Sequence, residues 1–224
     1  AEAGVRTAAT PDAIAGETAD LVVIAVKPQG IRDVLPAYRP LAPKAAFLSV
    51  AAGIAIRTIT DILGESTPVI RCMPNTPAAI GKGMMAVYPN ALVSPEMMAF
   101  VNTLLSASGE VAVLEDESQM DAVTAVSGSG PAYVFHFIEC LTAAAIKAGL
   151  SEPTAKLLAM QTVYGAANLA KESGEEPGRL REQVTSPNGT TAAALAVLMG
   201  DNRLANLIDE AVDAARRRSI ELGK

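Results

Sequence analysis

A chain of 224 residues, half of them hydrophobic and 19% charged, is long enough for one or two packed domains and too apolar to be disordered. Its net charge of -6, the absence of tryptophan and the lack of a basic stripe with interleaved aromatics argue against a nucleic-acid partner. Cys72 and Cys140 form no CxxC pair, and residues 1 to 15 carry no basic region followed by an apolar one, so the expected address is cytoplasmic.

The first half of the chain alternates. Short β-branched runs at 20–26 (DLVVIAV), 45–50 (AAFLSV), 67–73 (TPVIRCM), 83–89 (GMMAVYP) and 109–114 (GEVAVL) read as strands. Segments at 31–39, 55–63 and 95–106 have helical spacing between them. Near-continuous apolar strands separated by helices predict a parallel sheet covered on both faces. After Glu115 the strands stop, and 116–126, 131–149, 152–173, 190–199 and 202–222 read as helices rich in Ala and Leu. The fold class expected is therefore α/β followed by all-α, with an α/β domain over 1–115 and a helical domain over 116–224. The apolar window 132–150 is long enough to suggest a membrane span, but His136, Glu139 and Lys147 interrupt it and aromatic flanks are missing. It is read as a buried or interface helix, and at least a dimer built on 115–224 is expected. Arg216, Arg217 and Arg218 are read as offsetting the dipole at the end of the last helix.

In open parallel sheets ligands sit beyond the carboxyl ends of the strands. In AVKPQ (25–29) Pro28 places Lys27 at a strand tip, where its ammonium either meets a phosphate or ribose or is simply solvated. In SVAAG (49–53) small residues let a flat ring or a sugar approach the backbone, or serve ordinary packing. In RCMPNTPA (71–78) two prolines stiffen the loop around Asn75 and Thr76, as functional loops often require. No G-x-G-x-x-G occurs: GKG at 81–83 is too short, and GSG at 128–130 follows a helix. In TSPNGTT (185–191) Pro187, Asn188 and Gly189 predict a turn, after which Thr190 and Thr191 open a helix. Free N–H groups there would hold a carboxylate-sized anion, unless Thr190 only caps the helix.

Taken together, AVKPQ, SVAAG, RCMPNTPA, SGSGPAY (127–133) and TSPNGTT, in this order, resemble the pyrroline-5-carboxylate reductases, from about residue 4 to the C-terminus. The resemblance implies an oxidoreductase of proline biosynthesis with a Rossmann-type domain and a helical domain that dimerises by interlocking long helices. It further implies NADPH or NADH as cofactor, reduction of 1-pyrroline-5-carboxylate to L-proline, and a homodimer or a higher oligomer, with no metal, nucleic acid or membrane. Cofactor contacts carry over to Ala25, Val26, Lys27, Pro28, Val50, Ala51 and Ala52, and to Asp12 and Gln183, which stand where asparagine would be expected. Substrate contacts carry over to Glu117, Ser186, Gly189, Thr190 and Thr191. Thr191 is the candidate catalytic residue, facing the imine nitrogen, and Glu117 would favour the iminium. SGSGPAY is expected to open the long helix, with Pro131 at its first position. Members of the family start with a Gly-rich βαβ unit, which this sequence is expected to lack, leaving 20–26 as a sheet edge and NADPH binding very weak in the 224-residue chain alone. The alternatives are a non-catalytic helical dimer and a two-domain hydroxyacid dehydrogenase, for which Lys147 lies too far along the helix.

Overall fold

The computed structural model describes residues 4–14 and 16–223. They group into two compact units: the residues up to Ser129 together with those from Ala214 onward, and Gly130–Asp213. The first unit thus continues past the 115/116 boundary that the end of the strands suggests. Hydrogen bonds that Glu117, Asp121 and Ser127 accept from other parts of that unit account for the difference.

In the first unit five strands, β1 (Leu21–Ile24), β2 (Ala46–Ser49), β3 (Val69–Met73), β4 (Gly83–Pro89) and β5 (Gly109–Val113), lie in the order β1-β2-β3-β4-β5. They fall within the five apolar runs. The pairs β1/β2, β2/β3 and β4/β5 are parallel. The expected all-parallel sheet is corrected at β3/β4, which is antiparallel, with Arg71 opposite Tyr88. The connection 74–82 contains only the 3-10 turn Thr76–Ile80. It is too short for a parallel crossover, which takes a dozen or more residues, so the chain can only fold back.

Alternate residues of the strands build a core on each face of the sheet. Phe47 and Val69 pack with Ile31, Leu35, Ile59 and Leu63 on one face. Leu48, Ile70 and Cys72 pack with Met85, Val87 and Val101 on the other. This is the covering of both faces that the apolar runs predict. Burial pushes the Cys72 thiol up to about 12, so at neutral pH it stays protonated and packs as a small apolar group.

The helices of this unit follow local chemistry. In α2 (Ile56–Leu63) Ile56, Ile59 and Leu63 are the buried positions, and left-handed Gly64 ends the helix. Helix α3 (Pro95–Ser106) is capped by Ser94, whose Oγ accepts from the Met97 N–H, with Pro95 in the first turn. The helix expected over 31–39 is only a short α1 (Ile31–Val34), continued as 3-10 turns through Leu35–Leu41. Pro36 and Pro40 lack the N–H groups that an α-helix would use there.

The SGSGPAY stretch is not a turn between helices. Helix α4 (Met120–Val123) passes into a π-helical segment, Thr124–Gly128, and then into α5 (Gly130–Lys147), so Pro131 is the second helical residue rather than the first. Proline cannot donate to the carbonyl four residues back, which belongs to Ser127. That carbonyl instead accepts from Asn75 Nδ2 at 3.2 Å, while Asn75 Oδ1 accepts from the Met84 N–H at 2.9 Å. Gly128 leaves room for Met73, whose Cε would lie 2.5 Å from an added Cβ. The small residues therefore let a helix widen around a proline and meet the loop after β3.

The second unit holds α5, α6 (Glu152–Ser173), α7 (Pro177–Gln183), α8 (Thr190–Met199) and the first part of α9 (Arg203–Leu222), whose residues from Ala214 group with the first unit. Ser151 caps α6 by accepting from the Thr154 N–H, and left-handed Gly174 ends it. Helix α7 is absent from the sequence reading. Among the described residues no helix is long and apolar enough to cross a membrane.

Candidate active site

The loops after β1 and β2 come together at the carboxyl ends of these parallel strands. Ala25, Val26, Lys27 and Pro28 follow β1, and the Val50 N–H donates to the Ile24 carbonyl at 3.1 Å, placing Val50, Ala51 and Ala52 beside them. Lys27 is exposed and extended at φ -61°, and the 3-10 turn Pro28–Gly30 begins directly after it. Ala51 is buried and Ala52 exposed. Gly53 has φ 75°, which a residue with a side chain rarely adopts. Between these loops lies a cavity of about 350 Å3, with Pro28, Ala52 and Gly53 in its wall. Asp12 falls in the 3-10 turn Pro11–Ile14, with its side chain outside the described residues.

Glu117 is fixed by its neighbours on the chain and across the sheet. Asp116 caps the turn Glu117–Gln119, its carboxylate accepting from the Ser118 N–H at 2.7 Å. The bond from Ser118 holds the Asp116 carboxyl below its ordinary range. Glu117 Oε1 then accepts from the Ile56 N–H at 2.8 Å and from Arg71 Nη1 at 3.0 Å. Arg71 stands on β3 with a side chain only 10% exposed. One carboxylate oxygen therefore neutralises a buried guanidinium and satisfies the first turn of α2, the helix that follows the Ala-Ala-Gly loop. Sequence reasoning missed both partners.

In the second unit the segment 183–191 forms a continuous feature. Gln183, the last residue of α7, donates from Nε2 to Glu175 Oε2 at 2.7 Å. The Gly189 N–H closes a turn on the Ser186 carbonyl at 3.1 Å, and Asn188 takes φ 59°, the left-handed value its residue type accepts. A Cβ on Gly189 would lie 2.4 Å from Ser186 Oγ, so a side chain there would force the Ser186 hydroxyl to move. The N-cap of α8 is Gly189, which has no side chain to offer, and Thr190 is already helical. This answers the capping alternative for Thr190. The first helical bond runs from the Ala193 N–H to the Gly189 carbonyl. The preceding N–H groups of Thr190, Thr191 and Ala192 stand at the positive end of the helix without helical partners. Thr190 is exposed and Thr191 half-buried.

The glycines of GKG have structural roles. Gly81 takes a left-handed φ of 69°, and a Cβ on Gly83 would lie 2.7 Å from Ala78.

Comparison with known proteins identifies the family. The pyrroline-5-carboxylate reductase dimerisation family matches residues 117–222. A pyrroline-5-carboxylate reductase of Pseudomonas aeruginosa is 47% identical over 207 residues, which cover 92% of this chain and 76% of that protein. The solved structure of a pyrroline-5-carboxylate reductase from Coxiella burnetii superposes with a TM-score of 0.93 at 36% identity, covering 100% of this chain and 83% of that one. The crystal structure of Plasmodium falciparum pyrroline carboxylate reductase with NADP bound has a TM-score of 0.85 at 32% identity, covering 97% and 82%. Matches of this identity and length do not favour a hydroxyacid dehydrogenase or a non-catalytic helical dimer. With the five motifs in order on this fold, the chain belongs to the pyrroline-5-carboxylate reductase family.

Proposed function

We propose that this protein reduces 1-pyrroline-5-carboxylate to L-proline with hydride from NAD(P)H. The observation that carries this reading is the 47% identity to a reductase over 92% of the chain. The cofactor fits the first unit: small residues after β2 and the turn after β1 leave a cavity of about 350 Å3 at the carboxyl ends of parallel strands. When bound there, the nicotinamide supplies the hydride.

The chain's own groups bind and orient. Ala25, Val26, Pro28, Val50, Ala51 and Ala52 receive the cofactor, and the exposed ammonium of Lys27 meets its phosphate or ribose. Asp12 is a further cofactor contact of the first unit, and Gln183 is a cofactor contact of the second. The substrate carboxylate rests on the amides at the start of α8, in the turn formed by Ser186 and Gly189, with the Thr190 hydroxyl beside it. The Thr191 hydroxyl faces the imine nitrogen, which must carry a proton as the imine carbon accepts hydride, and either donates that proton or orients an iminium that arrives charged. Glu117 favours the iminium through Oε2, since Oε1 is engaged by Ile56 and Arg71. The test is oxidation of NAD(P)H by the natural protein that depends on 1-pyrroline-5-carboxylate and yields proline. No imine-dependent oxidation would overturn the reading.

The protein works as a homodimer in the cytoplasm, joined through the helical unit, with higher oligomers built on that dimer. Among the described residues none of α5 is buried. Phe135 and Leu157 are 59% and 67% exposed, far more apolar surface than a helical unit normally leaves in water. Light scattering at micromolar concentration is expected to give twice the chain mass or more, and a monomeric mass would remove this assignment.

A further inference from the structure

The wall of the cavity opposite the β1 and β2 loops is made by the last turns of α9, through Ser219 and Leu222, and by Thr124 of the π-helical segment. Ser219 is 5% exposed, and its Oγ donates to Asp121 Oδ1 at 2.6 Å, across 98 residues of sequence. The same helix end brings its backbone close to the loop after β2. A Cβ on Gly53 would lie 3.6 Å from the Gly223 nitrogen and the Leu222 carbonyl, and one on Gly223 would lie 3.0 Å from the Gly53 oxygen. The α9 end and the loop at Gly53 therefore pack closely, backbone against backbone. The hydrogen bond to Asp121 ties that helix end to α4.

We propose that Ser219 and Asp121 are a positioning pair for the cofactor: their hydrogen bond fixes the outer wall of the pocket that takes the nicotinamide end of NAD(P)H. This rests on the reductase reading above. A pocket beyond the carboxyl ends of two parallel strands, apolar at Pro28, Ala52 and Leu222 and hydroxyl-bearing at Thr124 and Ser219, suits a flat ring carrying a polar substituent. Neither Ser219 nor Asp121 acts on the reacting atoms, so their loss should weaken cofactor binding rather than the chemical step.

The experiment compares Ser219→Ala, Asp121→Ala and Asp121→Asn in the natural protein, by steady-state kinetics and by titration of NADPH fluorescence. Loss of one neutral-to-charged hydrogen bond is expected to raise both KM and Kd for NADPH by about fivefold in the two alanine variants. Turnover number and KM for the pyrroline should stay within about twofold of wild type. Asp121→Asn keeps the acceptor oxygen and should restore most of the affinity. NADPH affinity unchanged in both alanine variants, whatever happens to the melting temperature, would overturn the proposal. So would an equal rise in the KM values of both substrates with no rescue by asparagine, which is the behaviour of a structural pin. If the wild-type protein reduced no imine, the reductase reading would fall, and the NADPH titration alone would still decide whether the pair positions the cofactor.

Discussion

Replacing Thr191 by alanine is expected to lower kcat by roughly 10- to 1000-fold, the range for a single hydrogen-bond donor at a reacting atom, and to raise KM for the pyrroline by much less. The split follows from where the interaction is made. In the proposed reaction the carboxylate of the bound substrate is already held by the amides at the start of α8. The hydroxyl matters most as charge changes on the imine nitrogen during hydride transfer, so its loss falls on the transition state. Thr190→Ala should cost less, because in the proposed site its hydroxyl only adds to the three N–H groups that would hold the carboxylate. Neither change removes a helix cap, since Gly189 occupies that position and the first helical bond involves only Ala193 and Gly189. Alanine is also the better helix former. Melting temperatures of both variants should therefore stay near that of the wild type. A Thr191→Ala enzyme with unchanged kcat would remove Thr191 from the chemistry.

What was readable in the sequence, and what was not, divides by the range of the interactions. The strands carried their own signal in β-branched runs ended by Gly, Pro or charge. Helices α3 and α6 carried theirs in a serine, a nearby proline and an apolar repeat. The direction of β4 is not written in its composition, and only the shortness of 74–82 hinted at it. Helix α7, PGRLREQ, has Leu180 as its one apolar residue and begins with Pro-Gly, so it reads as a turn. The π-helical segment could not be seen locally: Ser-Gly-Ser-Gly-Pro looks like a break until Asn75, 52 residues away, is found on the carbonyl that Pro131 leaves unpaired. At the candidate site the loops after β1 and β2 and the start of α8 at Thr190 followed from motif and spacing, whereas the Gly189 N-cap did not, since Thr190 was an open alternative for the cap. The partners of Glu117 did not, because Ile56 and Arg71 are 61 and 46 residues distant and meet it only in the folded unit, from the start of α2 and from β3.

Those partners make Glu117→Ala the substitution with the largest expected effect on stability. It would leave the Arg71 guanidinium, 10% exposed, without its counter-charge, and the Ile56 N–H without its acceptor. Stranding one member of a buried ion pair costs about 3 kcal/mol, and the unsatisfied amide adds to that. For a chain of this size the melting temperature should fall by about 6–12 °C. Glu117→Gln keeps an oxygen at the Oε1 position, so both hydrogen bonds can persist without the charge, at a cost of about 1 kcal/mol. Adding Arg71→Met to Glu117→Gln removes the stranded cation and should recover part of the loss, since a neutral, well-packed pair is often no worse than a buried ionic one. Because Ile56 opens the helix that follows Val50, Ala51 and Ala52, Glu117→Ala should also raise KM for NAD(P)H. Urea unfolding of the three variants, with cofactor titrations at a temperature where each is folded, separates the two effects. If Glu117→Ala unfolded within about 0.5 kcal/mol of wild type, the carboxylate would not be holding Arg71 and α2 together, and its oxygen atoms would be left for the substrate.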